Sequence, residues 1–264
     1  MKTSTERMIA KKEGPIGWMQ FNNPARHNAV SVDMWKAVPE IMTEFQNDDQ
    51  IRVVVVSGAG GKAFISGADI SEFAEKRSSR ESILEYNRIS GQANASIIDF
   101  PKPTIAMIQG YCVGGGLSVA LCCDLRLAAD NASFAVPAAK LGLGYGYDGI
   151  KRLVDVVGPS FAKEIFYTAR QFDSTEALAM GLVNRVIPTS DIETYVRDYS
   201  GRIGGNAPMT INSVKLCVNE ATQDPDKRNL AAAQAAVDAC FASADYVEGR
   251  TAFMEKRKPA FRGR

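Results

Sequence analysis

The chain contains the stretch Ile108-Gln-Gly-Tyr-Cys-Val-Gly-Gly-Gly-Leu-Ser-Val-Ala-Leu-Cys-Cys-Asp124, in which a β-type run ends and a glycine triplet precedes an apolar, helix-type segment. Three consecutive glycines indicate backbone that needs positive φ or a very close approach by another group. Placed before a helix, they can direct free N–H groups and the positive end of the helix dipole at a negatively charged oxygen. A tight helix–strand contact without a ligand explains the glycines equally well, so the rest of the chain has to decide between the two.

Length and composition are those of an ordinary globular protein. The 264 residues suffice for one large domain or a domain with an appendage, and 45% of them are hydrophobic and 23% charged. The formal net charge of +1 predicts no attraction to nucleic acid or to an anionic membrane, and no apolar run is long enough to span a bilayer. The N-terminal residues lack a hydrophobic signal segment, so we expect a cytoplasmic protein.

Histidine and cysteine usage excludes several kinds of site. His27 is the only histidine, which leaves a zinc site or a Ser-His-Asp triad with too few suitable side chains, and we therefore expect no metal. The five cysteines include no Cys-x-x-Cys pair, and they are typical of reduced, buried thiols.

Periodicity predicts mixed strands and helices up to about residue 190 and helices beyond it. The run Ile51–Val56 has the composition of a strand that is buried on both faces of a sheet. Ser31 is expected to cap a helix in which Pro39 predicts a kink or an early stop, and Ser78 with Glu81 has the spacing of a capping box. The predicted fold class is α/β with a helical C-terminal appendage.

Two glycine-rich segments resemble nucleotide-binding motifs in the pattern of their glycines only. Gly144-x-Gly146-x-x-Gly149 matches a dinucleotide fingerprint but lacks a convincing β-strand immediately before it. The segment Ser57–Lys62 departs from a phosphate loop, because valine stands at the required first glycine and alanine follows the lysine. Neither segment predicts a nucleotide-binding fold.

Two glycine-bearing turns of a different kind stand out, Phe64–Ile70 and Gly110–Gly116. Each follows a β-type run and can direct backbone N–H groups outward. Two such donors that converge on one oxygen form an oxyanion hole, which commonly stabilises a transition state by about 3–4 kcal/mol. Spacing alone makes the oxyanion hole a hypothesis.

The sequence is similar to the crotonase superfamily, the enoyl-CoA hydratase/isomerase-like proteins, over nearly the whole chain. The segments that carry the resemblance, in chain order, are Asn23-Pro24 with Asn28-Ala29, Phe64–Ile70, Gly110–Gly116, Cys123–Arg126, Ala179–Val186 and Glu248–Lys258. The resemblance implies a crotonase spiral of ββα units, with the acyl-CoA site in a core of residues 1–195 and a helical trimerisation region over 196–264. It implies a homotrimer or a dimer of trimers that binds an acyl-CoA thioester. No cofactor is expected beyond the coenzyme A of the substrate.

The resemblance also implies the site residues. The oxyanion-hole donors of the family map onto the backbone N–H groups of Ala68 and Gly115, which would bind the thioester oxygen and stabilise an enolate. The residues expected to contact coenzyme A are Arg26 at the phosphates, Ser66, Ala68 and Ile70 at the adenine pocket, and Phe253 and Lys256 from the last helix of the same or a neighbouring subunit. For Lys256 the alternative is one more solvated charge in Glu-Lys-Arg-Lys.

The chain departs from the family at the two glutamates that its hydratases carry, which are replaced by Ser118 and Ala138. Hydration needs one group to place and deprotonate water and another to protonate carbon, and neither serine nor alanine supplies a carboxylate. The candidate acid/base groups are Asp148 and Tyr145, although Asp148 could instead cap the following helix. Tyr145 is a poor base near neutral pH because the usual pKa of tyrosine is about 10.

The sequence therefore predicts an acyl-CoA enzyme that stabilises a thioester enolate, nominally an enoyl-CoA hydratase of fatty acid metabolism. One alternative keeps the oxyanion hole and changes the reaction to isomerisation, hydrolysis or decarboxylation of an acyl-CoA. Another is a non-catalytic acyl-CoA-binding homologue that has lost both glutamates.

Overall fold

The computed structural model describes residues 3–69 and 79–264 of the chain. Its strands are β1 (Met8–Glu13), β2 (Ile16–Phe21), β3 (Val53–Gly58), β4 (Ala63–Ile65), β5 (Thr104–Ile108), β6 (Tyr111–Val113), β7 (Leu125–Ala129), β8 (Ser133–Ala135), β9 (Phe172–Asp173) and β10 (Arg185–Ile187). Its α-helices are α1 (Val32–Asn47), α2 (Arg80–Ile98), α3 (Gly115–Cys122), α4 (Tyr147–Thr168), α5 (Ser174–Ala179), α6 (Ile192–Gly204), α7 (Pro208–Thr222), α8 (Leu230–Phe241) and α9 (Ala244–Met254).

The strands form two sheets that the chain visits in turn. The larger sheet has the order β1-β2-β3-β5-β7-β10, and the smaller has the order β4-β6-β8-β9. The pairs β3/β4, β5/β6 and β7/β8 each contribute one strand to each sheet, and the next described α-helix after each pair is α2, α3 and α4, respectively. This repeat is the ββα spiral that the sequence predicts.

Helices and the smaller sheet cover both faces of the larger sheet. Alternate residues of β3 point in opposite directions, so that Val54 and Val56 join the main core while Val53 and Val55 join a second cluster. Helix α6 completes the second cluster through Ile192 and Val196. The prediction of a strand buried on both faces is thereby confirmed.

Two local predictions about helices are wrong. Of the kink or early stop predicted at Pro39, the early stop does not occur, and the kink stays a prediction. Helix α1 continues to Asn47 because a face of large apolar residues packs into the core and outweighs the lost backbone hydrogen bond. The capping box at the start of α2 is formed by Ser79 and Ser82, whose side chains each accept a backbone N–H of the other. The predicted Ser78 lies outside the described residues.

The C-terminal helices bury little of their own surface within one chain. Helix α8 has no buried residue, α7 buries only Ser213, and α9 buries only Asp245 and Ala252. In the parts of the chain that the structure describes, no helix is both long and apolar enough to cross a membrane.

Candidate active site

The turns after β4 and β6 meet at the edge of the smaller sheet. The two strands pair in parallel, so the chain leaves both of them at the same end. An ideal β-carbon placed on Gly115 would lie 3.8 Å from the amide nitrogen of Ala68. Within residues 3–69 and 79–264, neither of these two N–H groups donates a backbone hydrogen bond. The structure thus brings together two donors that the sequence places far apart.

The surroundings of each glycine in the triplet differ, and they explain differently why glycine stands there. Gly114 precedes α3 with a φ of 53°, which is a strained conformation for other residues. A β-carbon on Gly116 would lie 2.1 Å from the carbonyl oxygen of Ile65, so only glycine fits there. At Gly115 the nearest atoms would be 3.7–3.8 Å from an added β-carbon, which is ordinary contact. The absence of a side chain at Gly115 therefore leaves a space of about one methyl group beside the Ala68 amide.

The floor of this space is aromatic. A β-carbon on Gly115 would contact the ring of Trp35 at 3.7 Å, and Trp35 is almost completely buried. The Trp35 Nε1 donates to the Tyr86 hydroxyl over 3.0 Å, which orients the indole. Because Gly115 is the first residue of α3, an oxygen held there would also experience the positive end of the helix dipole.

Ser118 and Ala138, which the resemblance predicts to stand at the two glutamate positions, lie in contrasting surroundings. Ser118 is half-buried on α3, and its Oγ accepts a hydrogen bond from Nδ2 of Asn94 over 3.2 Å. Ala138 is 3% exposed in a 3-10 helix over Pro137–Leu141. Ser118 therefore provides a neutral polar group and Ala138 an apolar one, so neither residue supplies a carboxylate.

The structure places Tyr145 beside Ser118. The Tyr145 ring packs edge-on against Phe166 with the ring centroids 4.9 Å apart, and a β-carbon on Gly149 would lie 2.8 Å from it. Burial raises the pKa of the Tyr145 hydroxyl, and a side-chain hydrogen bond from Ser118 partly offsets that effect. Tyr145 is thus held in the protonated form, which is the form of a hydrogen-bond donor.

Asp148 occupies a different environment. It lies in the first turn of α4 and is exposed, and the N-cap is Gly146 rather than Asp148. No hydrogen bond joins Asp148 to Tyr145 or Ser118 among the described residues. Among the described residues, the two acid/base candidates therefore form no hydrogen-bonded pair.

Asn94 is a site residue that sequence reasoning missed. It lies on α2, between the buried Ala93 and the core residue Ile97. An asparagine inside a helix carries no motif or spacing that points to a partner on another element. Only the packing of α2 against α3 reveals its contact with Ser118.

Two of the predicted coenzyme A contacts lie together. Arg26 pairs with Asp69 over 3.2 Å, and the Ser66 amide donates to the His27 carbonyl oxygen over 3.1 Å. The Ser66 hydroxyl also donates to the carbonyl oxygen of Arg26 over 3.4 Å. These contacts place Arg26 next to the Ser66-to-Ala68 turn. Ile70 lies outside the described residues.

The other predicted coenzyme A contacts are at the end of α9. Phe253 is 82% exposed, and Lys256 is exposed with a φ of 54°. In the described parts of one chain, no hydrogen bond or ion pair joins either residue to the Arg26 turn. Together they belong to a separate, solvent-facing surface.

The side chains of His27 and of the buried cysteines make no hydrogen bond to the candidate site among the described residues. His27 packs edge-on against Tyr111 with the ring centroids 5.8 Å apart. Burial raises the pKa of the Cys122 thiol to about 12 and raises the pKa of Cys112 and Cys123 as well, which makes all three unreactive. In the described residues, no three His, Cys, Asp or Glu side chains cluster closely enough to hold a metal ion.

Known proteins share this architecture over its full length. The family model of enoyl-CoA hydratase/isomerase matches residues 11–264. A crotonyl-CoA hydratase of Syntrophomonas wolfei is 34% identical, with 97% of this chain and 98% of that protein covered. A short-chain-enoyl-CoA hydratase of Clostridium acetobutylicum is also 34% identical, with 95% of each covered.

The fold comparison agrees with the sequence comparison. A crystal structure described as an enoyl-CoA hydratase/carnithine racemase from Magnetospirillum magneticum superposes with a TM-score of 0.93 at 35% identity, and it covers 99% of this chain and 97% of that chain. The resemblance and the fold predicted from the sequence are therefore confirmed. The chain belongs to the enoyl-CoA hydratase/isomerase family of the crotonase superfamily.

Proposed function

We propose that the protein acts on an acyl-CoA thioester, with enoyl-CoA hydration, or the reverse dehydration, as the reaction. The observation that carries the proposal is the approach of the Ala68 amide to Gly115, 3.8 Å from an added β-carbon, with both N–H groups free of backbone partners among the described residues. The hydratase names of the two relatives support the same substrate class.

The two amides act as an oxyanion hole. They donate to the thioester oxygen, whose negative charge grows as electrons move from the α-carbon into the carbonyl. A preformed pair of donors stabilises this charge without reorganisation, and one such donor is commonly worth about 3–4 kcal/mol in the transition state. The positive end of the α3 dipole adds to this stabilisation. The buried Trp35 ring excludes water from the floor of the site, where electrostatic interactions are stronger.

Tyr145 and Asp148 are the proposed acid/base residues, and the structure favours different roles for them. Tyr145 is held protonated beside Ser118, so we assign it the donor role. Asp148 is exposed in the first turn of α4, from which a carboxylate can exchange protons with solvent. In this division Asp148 is the base and Tyr145 the acid.

A second candidate reaction follows from Ala138. Ala138 is apolar and only 3% exposed, so it supplies no carboxylate where the resemblance predicts the second glutamate of the family. An isomerase, hydrolase or decarboxylase reaction on an acyl-CoA would use the same oxyanion hole. Decarboxylation in particular reduces the need for a protein base, since carbon dioxide leaves instead of a proton. A non-catalytic acyl-CoA-binding protein is the remaining alternative.

Coenzyme A itself is proposed to enter as part of the substrate, with no other cofactor. The Arg26 side chain is 57% exposed, and in this proposal it would contact the phosphates of coenzyme A. Ser66, Ala68 and Ile70 are the residues proposed for the adenine pocket. Phe253 and Lys256 would complete the adenine and phosphate contacts.

We propose a homotrimer or a dimer of trimers, assembled through the C-terminal region of residues 196–264 and working in the cytoplasm. Helices α7, α8 and α9 surround an apolar groove of about 830 Å³, whose lining includes Val214, Phe241, Phe253 and Met254. Apolar area of this kind is rarely left exposed on a monomer. A second copy of the chain is the occupant that such a surface favours.

A direct assay tests the proposed activity. Purified protein is mixed with crotonyl-CoA and the loss of enoyl absorbance is followed, while calorimetry measures the binding of free coenzyme A and butyryl-CoA. Turnover of crotonyl-CoA supports hydration. Binding without turnover across a panel of acyl-CoAs supports the binding protein, and failure to bind any of them rejects the acyl-CoA proposal.

A further inference from the structure

The two proposed oxyanion donors belong to peptide groups that are held in place in different ways. A trans peptide group is planar, so its C=O and N–H point in opposite directions, and a contact that fixes the oxygen also fixes the direction of the hydrogen. The Gly114 carbonyl oxygen accepts from the Ser118 N–H over 3.0 Å at the start of α3, so the helix itself points the Gly115 N–H out of its first turn. Ala68 lies outside the helices and named strands, and its peptide group is held by another segment.

That other segment contacts the Ala68 peptide group through Val30. The Val30 N–H donates to the Gly67 carbonyl oxygen over 2.8 Å, and Val30 and Ala68 form an isolated parallel bridge. Since the Gly67 oxygen and the Ala68 hydrogen belong to one peptide group, the contact with Val30 turns the Ala68 N–H to the opposite side. The Asp69 N–H donates back to the Val30 carbonyl oxygen over 3.0 Å and completes the bridge. The position of Val30 therefore sets the direction of the first proposed oxyanion donor.

Asn28 anchors the segment that carries Val30. It is completely buried, and its φ of 56° is in the left-handed region that asparagine tolerates better than most residues. Its Nδ2 donates to the carbonyl oxygens of Ala59 and Ala63 over 2.9 and 2.7 Å, at the two ends of the connection from β3 to β4. Its Oδ1 accepts from the Asn23 N–H over 2.9 Å. One side chain thus joins both ends of residues 23–28 to the strand connection that precedes the Ala68 turn.

The contacts between residues 23–30 and the Ala68 turn lie on both sides of Asn28. The Ser66 N–H donates to the His27 carbonyl oxygen over 3.1 Å, and the Val30 bridge follows two residues after Asn28. A shift of Asn28 would therefore move the carbonyl oxygen of His27 and the N–H of Val30 together. Both of these groups hold the turn that ends in Ala68.

We propose that Asn28 is a positioning residue of the oxyanion hole, which aims the Ala68 N–H by holding Val30 in register with the turn. The proposal rests on the proposed function, because it takes the Ala68 N–H to be a donor to the thioester oxygen. Asn28 does not touch the substrate in this arrangement. Its side chain acts only through the backbone of Val30.

Loss of the anchor should weaken the transition state more than the ground state. Hydrogen bonds weaken steeply as the donor angle departs from linearity, and a misplacement of about 1 Å in a catalytic group can cost about 100-fold in rate. The negative charge on the thioester oxygen is largest in the enolate, so a misdirected Ala68 N–H costs most there. Binding of an uncharged acyl-CoA depends on other contacts as well and should change little.

The test uses acetoacetyl-CoA, a β-ketothioester that loses a proton from its α-carbon in mildly alkaline water. Its enolate absorbs in the near ultraviolet, so the ratio of enolate to keto form of the bound thioester, measured at one pH, reports on the oxyanion hole. Calorimetry of the full-length protein with butyryl-CoA measures the affinity for an uncharged acyl group. The stoichiometry of the same titration gives the fraction of the protein that is folded and able to bind.

Two variants of Asn28 and one control are compared with the wild type. Asn28→Gly allows the left-handed backbone and removes all three side-chain hydrogen bonds. Asn28→Asp keeps the acceptor for Asn23 and replaces the donor to the two carbonyl oxygens, and it decides the question if the glycine variant does not fold. Asn184→Gly is the matched control, because Asn184 Oδ1 accepts from the Arg126 N–H over 2.8 Å on β7 and has the same kind of side-chain contact to backbone.

In the wild type and in Asn184→Gly we expect bound acetoacetyl-CoA to contain more enolate than the free thioester at the same pH. In both Asn28 variants the enolate-to-keto ratio should be about 10- to 100-fold lower, with the Kd of butyryl-CoA within about threefold of the wild type and the stoichiometry unchanged. The kcat for crotonyl-CoA should fall by a similar factor.

Three results would overturn this inference alone: an Asn28 ratio equal to that of the wild type, a fall that Asn184→Gly reproduces, or a fall that an equal loss of binding stoichiometry explains. The proposed function fails separately. If the wild type binds no acyl-CoA, or does not raise the enolate-to-keto ratio above its value in solution, the oxyanion hole is absent and the role of Asn28 is rejected with it.

Discussion

Gly116 packs so closely on Ile65 that an added β-carbon would lie 2.1 Å from the Ile65 carbonyl oxygen. Ile65 ends β4, and the turn to Ala68 follows directly. The contact therefore holds the start of α3 against the first turn, and it sets the separation between the Gly115 and Ala68 amides. The close contact at Gly116 thus fixes the position of Gly115, whose own added β-carbon would make only ordinary contacts.

Gly116→Ala should destabilise the fold. The new methyl group meets backbone rather than a flexible side chain, so α3 has to move away from β4, and we expect a loss of about 1–3 kcal/mol or more in the free energy of unfolding. Urea unfolding followed by circular dichroism measures it. Gly91→Ala is the control, because nothing lies within 4 Å of its added β-carbon. An unchanged midpoint for Gly116→Ala would contradict the packing described for Ile65.

Gly115→Ala should separate function from stability. Its methyl group would make only ordinary contacts, yet it would stand in front of the Ala68 amide where the thioester oxygen is proposed to bind. We expect a melting temperature close to that of the wild type and a fall in kcat/KM of about 100- to 1,000-fold, the effect of losing one oxyanion donor. Activity near the wild-type level would reject the assignment of Gly115 to the oxyanion hole.

Tyr145→Phe should remove the proposed proton donor. Burial raises the pKa of Tyr145 above its usual value of about 10, so the phenol is protonated throughout the neutral range and loses its proton only at higher pH. We expect kcat of the wild type to show an alkaline limb above about pH 10, and Tyr145→Phe to lack this limb and to be about 100-fold slower. Steady-state rates across the pH range measure both effects.

Asp148→Asn provides the complementary test. If Asp148 is the base, this variant should lose most of its activity on the true substrate, as measured by steady-state rates. If Asp148→Asn retains full activity on the true substrate, Asp148 is not the base, and the exposed side chain in the first turn of α4 takes no part in proton transfer.

Glu248 should make the attachment of the C-terminal tail sensitive to acid. Hydrogen bonds from Arg257 and from the Ala260 amide lower the pKa of Glu248 to about 2. A lowered pKa contributes stability that is present above the ordinary value of about 4.3 and is lost as the pH falls towards 2. Hydrogen exchange at Ala260, corrected for its intrinsic pH dependence, should therefore accelerate over this range.

Glu248→Gln should give the faster exchange already at neutral pH, because it removes the charge that both donors contact. Glu255→Gln is the control, since Glu255 contacts Arg257 without contacting Ala260. Equal protection of Ala260 in the wild type and in Glu248→Gln would show that other contacts hold the tail.

Met254→Asp should disrupt the proposed assembly. Met254 is 80% exposed in the isolated chain, so a charge there does not disturb the monomer but would be buried in an interface formed by the apolar groove. Sedimentation should find a trimer or hexamer for the wild type and smaller species for the variant. Tyr167→Asp, at a residue that is 76% exposed on α4, is the control for added surface charge. A wild-type monomer would reject the assembly.

Patterns within short segments were enough to predict most of the architecture. Three such patterns are the β-branched run before Ser57, the glycine triplet before α3 and the apolar periodicity of the C-terminal helices. Each involves residues that are close together in the sequence, so each can be recognised without knowing the tertiary structure. The two local errors arise where competing interactions are close in energy: packing of α1 overrides Pro39, and Ser79 rather than Ser78 provides the cap of α2.

The arrangement of the site depends on the order of strands and the packing of helices. The parallel pairing of β4 with β6 brings Ala68 to Gly115, and the packing of α2 on α3 brings Asn94 to Ser118. Residues so distant along the chain become neighbours only when the core closes, because the contacts that hold them are made by other residues. The sequence thus indicated which residues could supply N–H donors. Only the tertiary structure showed that the donors at Ala68 and Gly115 lie side by side.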